Sequence, residues 1–189
     1  MSKLRLAIIG NGMVGHRFIE ELLEKAEPNQ FEITVFCEEP RVAYDRVHLS
    51  SYFSHHTAEE LSLVREGFYQ KHNVNVLVGE RAITINRNEK IIYSNSGRTI
   101  HYDKLIMATG SYPWVPPIKG SEGQDCFVYR TIEDLNAIEA CARRSKRGAV
   151  VGGGLLGLEA AGALKNLGVE THVIEFAPVL MAEQLDPMG

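Results

Sequence analysis

Two glycine-rich turns of one pattern, G-x-G-x-x-G, constrain this chain more than any other feature. The first is Gly10-Asn11-Gly12-Met13-Val14-Gly15, placed after the apolar run Leu4 to Ile9. The second is Gly152-Gly153-Gly154-Leu155-Leu156-Gly157, placed after Ala149-Val150-Val151 and 142 positions later. In such a turn the first glycine lets the chain leave a strand sharply. The second leaves room for a pyrophosphate against the backbone, and the third lets the following helix pack on the sheet. The pyrophosphate then lies on N–H groups at the positive end of a helix dipole.

A glycine pattern alone is weak, so its surroundings decide. From Met13 to Ala26 the residues Val14, Phe18, Ile19, Leu22 and Leu23 fall on one helical face. His16, Arg17, Glu20, Glu21 and Glu24 fall largely on the other, and Pro28-Asn29 ends the helix. Ile33 to Cys37 reads as the next strand, with Glu38 at its end as the acceptor for ribose hydroxyls. The second unit repeats the plan: a helix from Leu155 to Leu167, a stop at Gly168, a strand from Glu170 to Ile174 and an acid, Glu175. A carboxylate there accepts from a 2′-hydroxyl and repels a 2′-phosphate. No arginine follows closely, so the second site is expected to prefer NADH to NADPH.

Between the two units the chain reads as further short elements. Thr57 with Glu60 predicts a capped helix with Leu61, Val64 and Phe68 on its apolar face. Asn73 to Val78 reads as a third parallel strand. Glu80 to Asn86, Lys90 to Tyr93 and Arg98 to Tyr102 read as antiparallel strands, the last two joined at Ser94-Asn95-Ser96-Gly97. Lys104 to Ala108 is a buried strand ending in Thr109-Gly110. Ser111 to Gly120 carries Pro113, Pro116 and Pro117 and reads as a crossover, with a polyproline ligand as the competing reading. Thr131 with Asp134 starts another helix, with Ile132, Leu135 and Ile138 apolar.

Composition excludes several classes. The 189 residues carry 20 Lys and Arg against 24 Asp and Glu, a net charge of −4 with no basic stripe, which gives nucleic acid no electrostatic footing. No run approaches a membrane span, and the start Met1-Ser2-Lys3 leads straight into a strand, which predicts a cytoplasmic protein. Cys37, Cys126 and Cys141 lie 89 and 15 residues apart, a spacing for neither a metal site nor a redox dithiol. The pair His55-His56 has no partner at ligand spacing and reads as loop. The stretch after Glu175 is too short for another βαβ unit, so the expectation is the front part of a longer protein, with apolar sheet surface left exposed.

These residues together resemble the FAD-dependent pyridine-nucleotide oxidoreductases. The likeness rests on Ile8 to Gly15, on Tyr44-Asp45-Arg46 with Leu49-Ser50, on Tyr102 to Gly110, on Arg130 to Asp134 and on Val151 to Glu159. Phe36 to Pro40 and Val47 to Phe53 carry a narrower likeness, to the nitrite-reducing members. Members that reduce rubredoxin or ferredoxin often have proline at the position of Val47 and lysine at that of Ser51.

The resemblance implies an α/β fold. A Rossmann-like FAD-binding domain with a parallel sheet and a small antiparallel sheet would occupy residues 1–112, without its C-terminal closing segment. Residues 113–122 would be the proline-rich crossover, and 123–189 an incomplete NAD(H)-binding domain. FAD would contact Gly10, Asn11, Gly12, Met13, Val14, Gly15, Glu38, Arg46, Ala82, Thr109, Gly110 and Arg130. NADH would contact Gly152, Gly154, Leu155, Leu156, Gly157 and Glu175, with Glu159 near the nicotinamide. The implied reaction is hydride transfer from NADH to FAD. With no cysteine pair here, electrons would pass to iron–sulfur and sirohaem centres further along the polypeptide. The partners so implied are NADH and those downstream redox domains, with a small subunit and a homodimer left open, and no nucleic acid, membrane or metal. A reductase of a small electron carrier and a non-catalytic dinucleotide sensor are the competing readings. The piece alone is expected to turn over poorly.

Overall fold

The computed structural model describes residues 3–54, 57–182 and 184–186, so His55-His56 lie outside the described residues. The chain divides into two compact units. One comprises residues up to Asp45 with Ser62–Ser111; the other comprises Arg46–Leu61 with residues from Tyr112 onward.

In the first unit β1 (Leu4–Ile9), β2 (Phe31–Cys37), β3 (Asn75–Val78) and β7 (Lys104–Met107) form a parallel sheet in the order β3-β2-β1-β7. The strands β4 (Ala82–Asn86), β5 (Ile91–Ser94) and β6 (Thr99–His101) form an antiparallel sheet in chain order. Alternation along β1 explains how the layers join. Leu6 and Ile8 face the helix layer, where Ile19 of α1 (Met13–Lys25), Ile33, Val35, Tyr69 and Val74 pack with them. Ala7 and Ile9 point to the opposite face and pack with Phe36, Leu77, Ile92 and Tyr102. β1 and β2 are thereby covered on both faces, while the edge strands leave Val78 and Met107 exposed.

Two anchors fix these layers. Asp103, just before β7, accepts from the Arg5 backbone N at 2.8 Å and from its guanidinium at 2.9 and 3.2 Å. Glu80, buried between β3 and β4, accepts from Ser96 Oγ at 2.6 Å and Arg98 Nε at 2.9 Å.

The second unit holds α3 (Ile132–Ala142), β8 (Arg147–Val151), α4 (Leu155–Asn166) and β9 (Glu170–Ile174), with β8 and β9 parallel. Thr131 and Asp134 form a reciprocal capping box on α3, at 3.1 and 2.8 Å. Gly168 takes the left-handed conformation (φ 79°) after α4 and ends it. Residues 49–54 form a 3-10 turn that packs within this unit, where Tyr52 Oη donates to Asn136 Oδ1 at 2.8 Å.

Three expectations fail, the first being the burial of the strand at 104–108: no residue of β7 is buried, and Met107 is exposed. The capping pair Thr57–Glu60 forms, at 2.8 and 3.2 Å, but no helix follows it; the helix α2 covers only Phe68–Lys71. The segment is drawn out instead by a bridge between Tyr44 and Ser62 and by Leu63 N donating to Ala43 O at 3.0 Å, which take the backbone groups a helix would use. On α1, Val14 is 73% exposed and His16 is buried, the reverse of their assigned faces. The geometry explains it: at about 100° per residue His16 lies about 60° from Ile19 around the helix, and Val14 about 140°.

Candidate functional site: two glycine loops

Each glycine loop is held by the same hydrogen-bond frame. Gly10 N donates to Phe36 O at 3.0 Å, and Gly152 N donates to Ile174 O at 2.8 Å. The first glycines have φ of 110° and 114°, a region closed to side-chain-bearing residues. The third glycines make the close approach. A Cβ at Gly15 would stand 2.1 Å from Gly10 O, and one at Gly157 would stand 2.0 Å from Gly152 O. The middle glycines, Gly12 and Gly154, are the N-caps of α1 and α4. Neither helix has a side-chain cap, and a Cβ at either glycine would meet nothing within 4 Å. The backbone is therefore open to a ligand where a pyrophosphate would lie, and Val14, Leu155 and Leu156 of the first helical turns are exposed beside it.

The loops differ in what closes them. A Cβ at Gly10 would strike Ala108 O at 2.1 Å, because the end of β7 runs against the first loop, and Ala108 N donates to Ile9 O at 2.8 Å. Thr109 N lies 3.2 Å from that same Cβ position, and Gly110 (φ 66°) follows it in the chain. Nothing lies within 4 Å of a Cβ at Gly152.

The two acids also differ. Glu175 turns into its own loop: Oε2 accepts from Gly153 N at 2.5 Å, and Oε1 accepts from Ala177 N at 2.8 Å. These backbone donors hold its carboxyl below the usual range. Glu38 is half-exposed and pairs with Arg81 at 3.5 Å. Strand register shows why the two behave differently. Ile9 pairs with Phe36 and Val151 with Ile174, so the residue corresponding to Glu175 is Cys37, and Glu38 follows one position later. The neighbouring Glu39 accepts from Tyr44 Oη at 2.7 Å. Ala82 opens β4.

Arg46 and Arg130 belong to the second unit, and there they meet: Arg46 Nη1 donates to Arg130 O at 2.9 Å. In that unit Tyr129 stacks on Phe53 with centroids 6.4 Å apart. Burial, with the charge of Glu159 adding to it, pushes the Tyr129 hydroxyl up to about 12. Glu159 thus lies near an aromatic pair that the sequence did not single out.

The partners of one expected site residue, Asn11, escaped the sequence. Asn11 uses both side-chain polar atoms inside the protein, on Ala43 N at 3.0 Å and on Tyr69 Oη at 2.7 Å. Tyr69 in turn meets His16. Partners 32 to 58 residues away leave no local signature. Among the described residues no cluster of three or more His, Cys, Asp and Glu could hold a metal, and no helix is long and apolar enough to cross a membrane.

Residues 4–188 match the pyridine nucleotide-disulphide oxidoreductase family. The chain is 85% identical over its whole length to the NADH nitrite reductase large subunit of Escherichia coli, covering 22% of that protein. It is 51% identical to the nitrite reductase [NAD(P)H] large subunit of Klebsiella oxytoca, covering 20% of it. It thus spans about a fifth of the length of these curated relatives. The NADH:rubredoxin oxidoreductase structure from Clostridium acetobutylicum superposes with a TM-score of 0.88 at 25% identity, over 99% of this chain and 48% of that one.

Proposed function

This chain belongs to the pyridine nucleotide-disulphide oxidoreductase family, and from that membership we propose that it is the flavin-reducing module of an NADH-dependent nitrite reductase. In this reading residues 1–112, of which 46–61 group with the second compact unit, belong to the FAD-binding domain, 113–122 are the crossover and 123–189 begin the NADH-binding domain. The observation that carries this reading is the duplicated loop frame, in which two strand-to-helix turns share one hydrogen-bond pattern and both leave the middle glycine open.

The backbone of Gly10 to Gly15 receives the FAD pyrophosphate at the N-terminus of α1. Glu38 takes the adenosine ribose and Ala82 offers backbone contacts to the adenine. Thr109 and Gly110 would close over the cofactor; Arg46 and Arg130, which meet each other within the second unit, stay candidate FAD contacts by the family resemblance. Bound FAD supplies a two-electron acceptor for the hydride of NADH. The Gly152 to Gly157 loop, with Leu155 and Leu156, receives the NADH pyrophosphate. Glu175 would accept from the adenosine ribose 2′-hydroxyl, and Glu159 would lie near the nicotinamide. The contribution of these residues would be to bind and orient each dinucleotide on its own glycine loop. The longer cytoplasmic protein then directs the electrons to iron–sulfur and sirohaem centres that reduce nitrite to ammonia.

The 85% identity to a named NADH nitrite reductase subunit supports this assignment over a reductase of a small electron carrier. The test is the purified full-length protein. FAD should copurify, Gly12→Val should abolish it, and sirohaem should accompany it. FAD without sirohaem favours the electron-carrier reductase; nucleotide binding without FAD favours a sensor.

A further inference from the structure

Beneath the first glycine loop the polar groups form one directional chain. Asn11 is buried, at 8% exposure, and what it offers a ligand is its backbone. Its Oδ1 accepts from Ala43 N at 3.0 Å and its Nδ2 donates to Tyr69 Oη at 2.7 Å. Tyr69 Oη lies 2.9 Å from His16 Nδ1, and His16 Nε2 lies 3.2 Å from Leu63 O.

The direction follows from donor and acceptor chemistry. A backbone carbonyl can only accept, so Nε2 carries the proton. With the ring neutral, Nδ1 is bare and accepts from the Tyr69 hydroxyl, whose oxygen accepts from Asn11. Every donor then has one acceptor. A second proton on His16 would break this order: two N–H groups would converge on the Tyr69 oxygen, and the Tyr69 hydroxyl hydrogen would lose its acceptor in a buried site.

The surroundings favour the neutral ring. His16 is 3% exposed, with Phe68 and Tyr69 edge-on to it at centroid distances of 5.3 and 5.7 Å. From α1, Glu20 at 3.7 Å favours a charged imidazole and Arg17 opposes it. From α2 come Tyr69 and, across Phe68, His72; β2 contributes Cys37 beside Tyr69. Burial outweighs Glu20 and holds His16 below its ordinary value.

We infer that His16 and Tyr69 are positioning residues that hold Asn11, and with it the backbone of the first glycine loop, in the form that receives a dinucleotide pyrophosphate, and that they do so only while His16 is neutral. This rests on the reading of the first loop as the FAD site.

The experiment is titration of the full-length apoprotein with FAD, followed by flavin fluorescence, between pH 5 and pH 8.5. In the unsubstituted protein the Kd should be flat at high pH and through the ordinary histidine range, and rise only as pH falls beneath that range. Tyr69→Phe keeps the ring and should raise Kd at pH 8 roughly five- to tenfold, the scale of one lost hydrogen bond, with the acid dependence flattened. His16→Leu should bind weakly at every pH. His16→Asn, whose amide can face Tyr69 but cannot titrate, should restore binding at pH 8 and show no acid rise. If Tyr69→Phe and His16→Leu fold, melt at lower temperature and still bind FAD with the original Kd and pH profile, the pair is only packing and the inference fails. An unsubstituted apoprotein that binds no FAD at any pH overturns the functional reading itself, and this inference with it.

Discussion

Glu175 Oε2 accepts from the backbone N–H of Gly153 at 2.5 Å, so the acid that ends β9 is oriented into the second glycine loop. The first loop has no counterpart, because Cys37 occupies the corresponding register position and Glu38 pairs outward with Arg81. Repetition of the backbone frame is therefore not repetition of the acid, and the two loops should respond differently to loss of their carboxylates.

The expected consequence at the second loop is a change in nucleotide choice. Glu175→Ala in the full-length protein should raise KM for NADH about tenfold, a typical loss for a charge-assisted hydrogen bond. It should affect NADPH less, because the repelled 2′-phosphate no longer meets a carboxylate. Steady-state rates with ferricyanide give the ratio. An unchanged NADH-to-NADPH preference would remove Glu175 from the ribose site.

The glycines separate fold from function. Gly10→Ala places a methyl 2.1 Å from Ala108 O at a φ of 110° and should cost about 1–3 kcal/mol of stability, read as a lower Tm of the apoprotein. Gly12→Ala meets nothing within 4 Å and should leave the apoprotein Tm within a degree or two, while weakening FAD binding more than tenfold. Equal melting losses for both would contradict this division.

Much of this was legible in the sequence, and the exceptions share a cause. The strand-turn-helix units, the antiparallel strands and the α3 cap follow from residues within one turn or one alternation of each other. The short helix at Phe68–Lys71, the burial of His16 and the Asn11–Tyr69 contact depend on partners supplied by the tertiary fold. His16 sits among Arg17, Glu20 and Glu21 and reads as surface. Only the angle to Ile19, checked residue by residue, could have moved it inward. Register misled in the same way: Glu38 looks equivalent to Glu175 until the pairing of Ile9 with Phe36 fixes the count.

Acid should loosen the first unit through Asp103. Arg5 donates to this carboxyl from backbone and guanidinium and lowers its pKa from 3.8 to about 2. A depressed carboxyl stabilises the fold above its unfolded value and loses that contribution as pH falls. The contribution is therefore complete above about pH 4 and declines toward pH 2. Asp103→Asn should be less stable than the original protein at pH 7, with the difference vanishing near pH 2 in denaturant unfolding.

Thr131→Ala removes one side of the α3 capping box and should cost about 1 kcal/mol. The readout is the unfolding midpoint of the full-length protein; Thr131→Ser should recover most of the loss. An alanine variant as stable as the original would mean that α3 is held by packing of Ile132 and Leu135 alone.

In the proposed function, NADH at the second loop reduces FAD at the first. Anaerobic addition of NADH to the purified full-length protein tests it most directly. The expected result is one FAD per polypeptide, an oxidised-flavin absorbance band bleached by one equivalent of NADH, and loss of that bleaching in a Gly154→Val variant that still carries the flavin. A protein without FAD, or with FAD that NADH does not bleach, would contradict it.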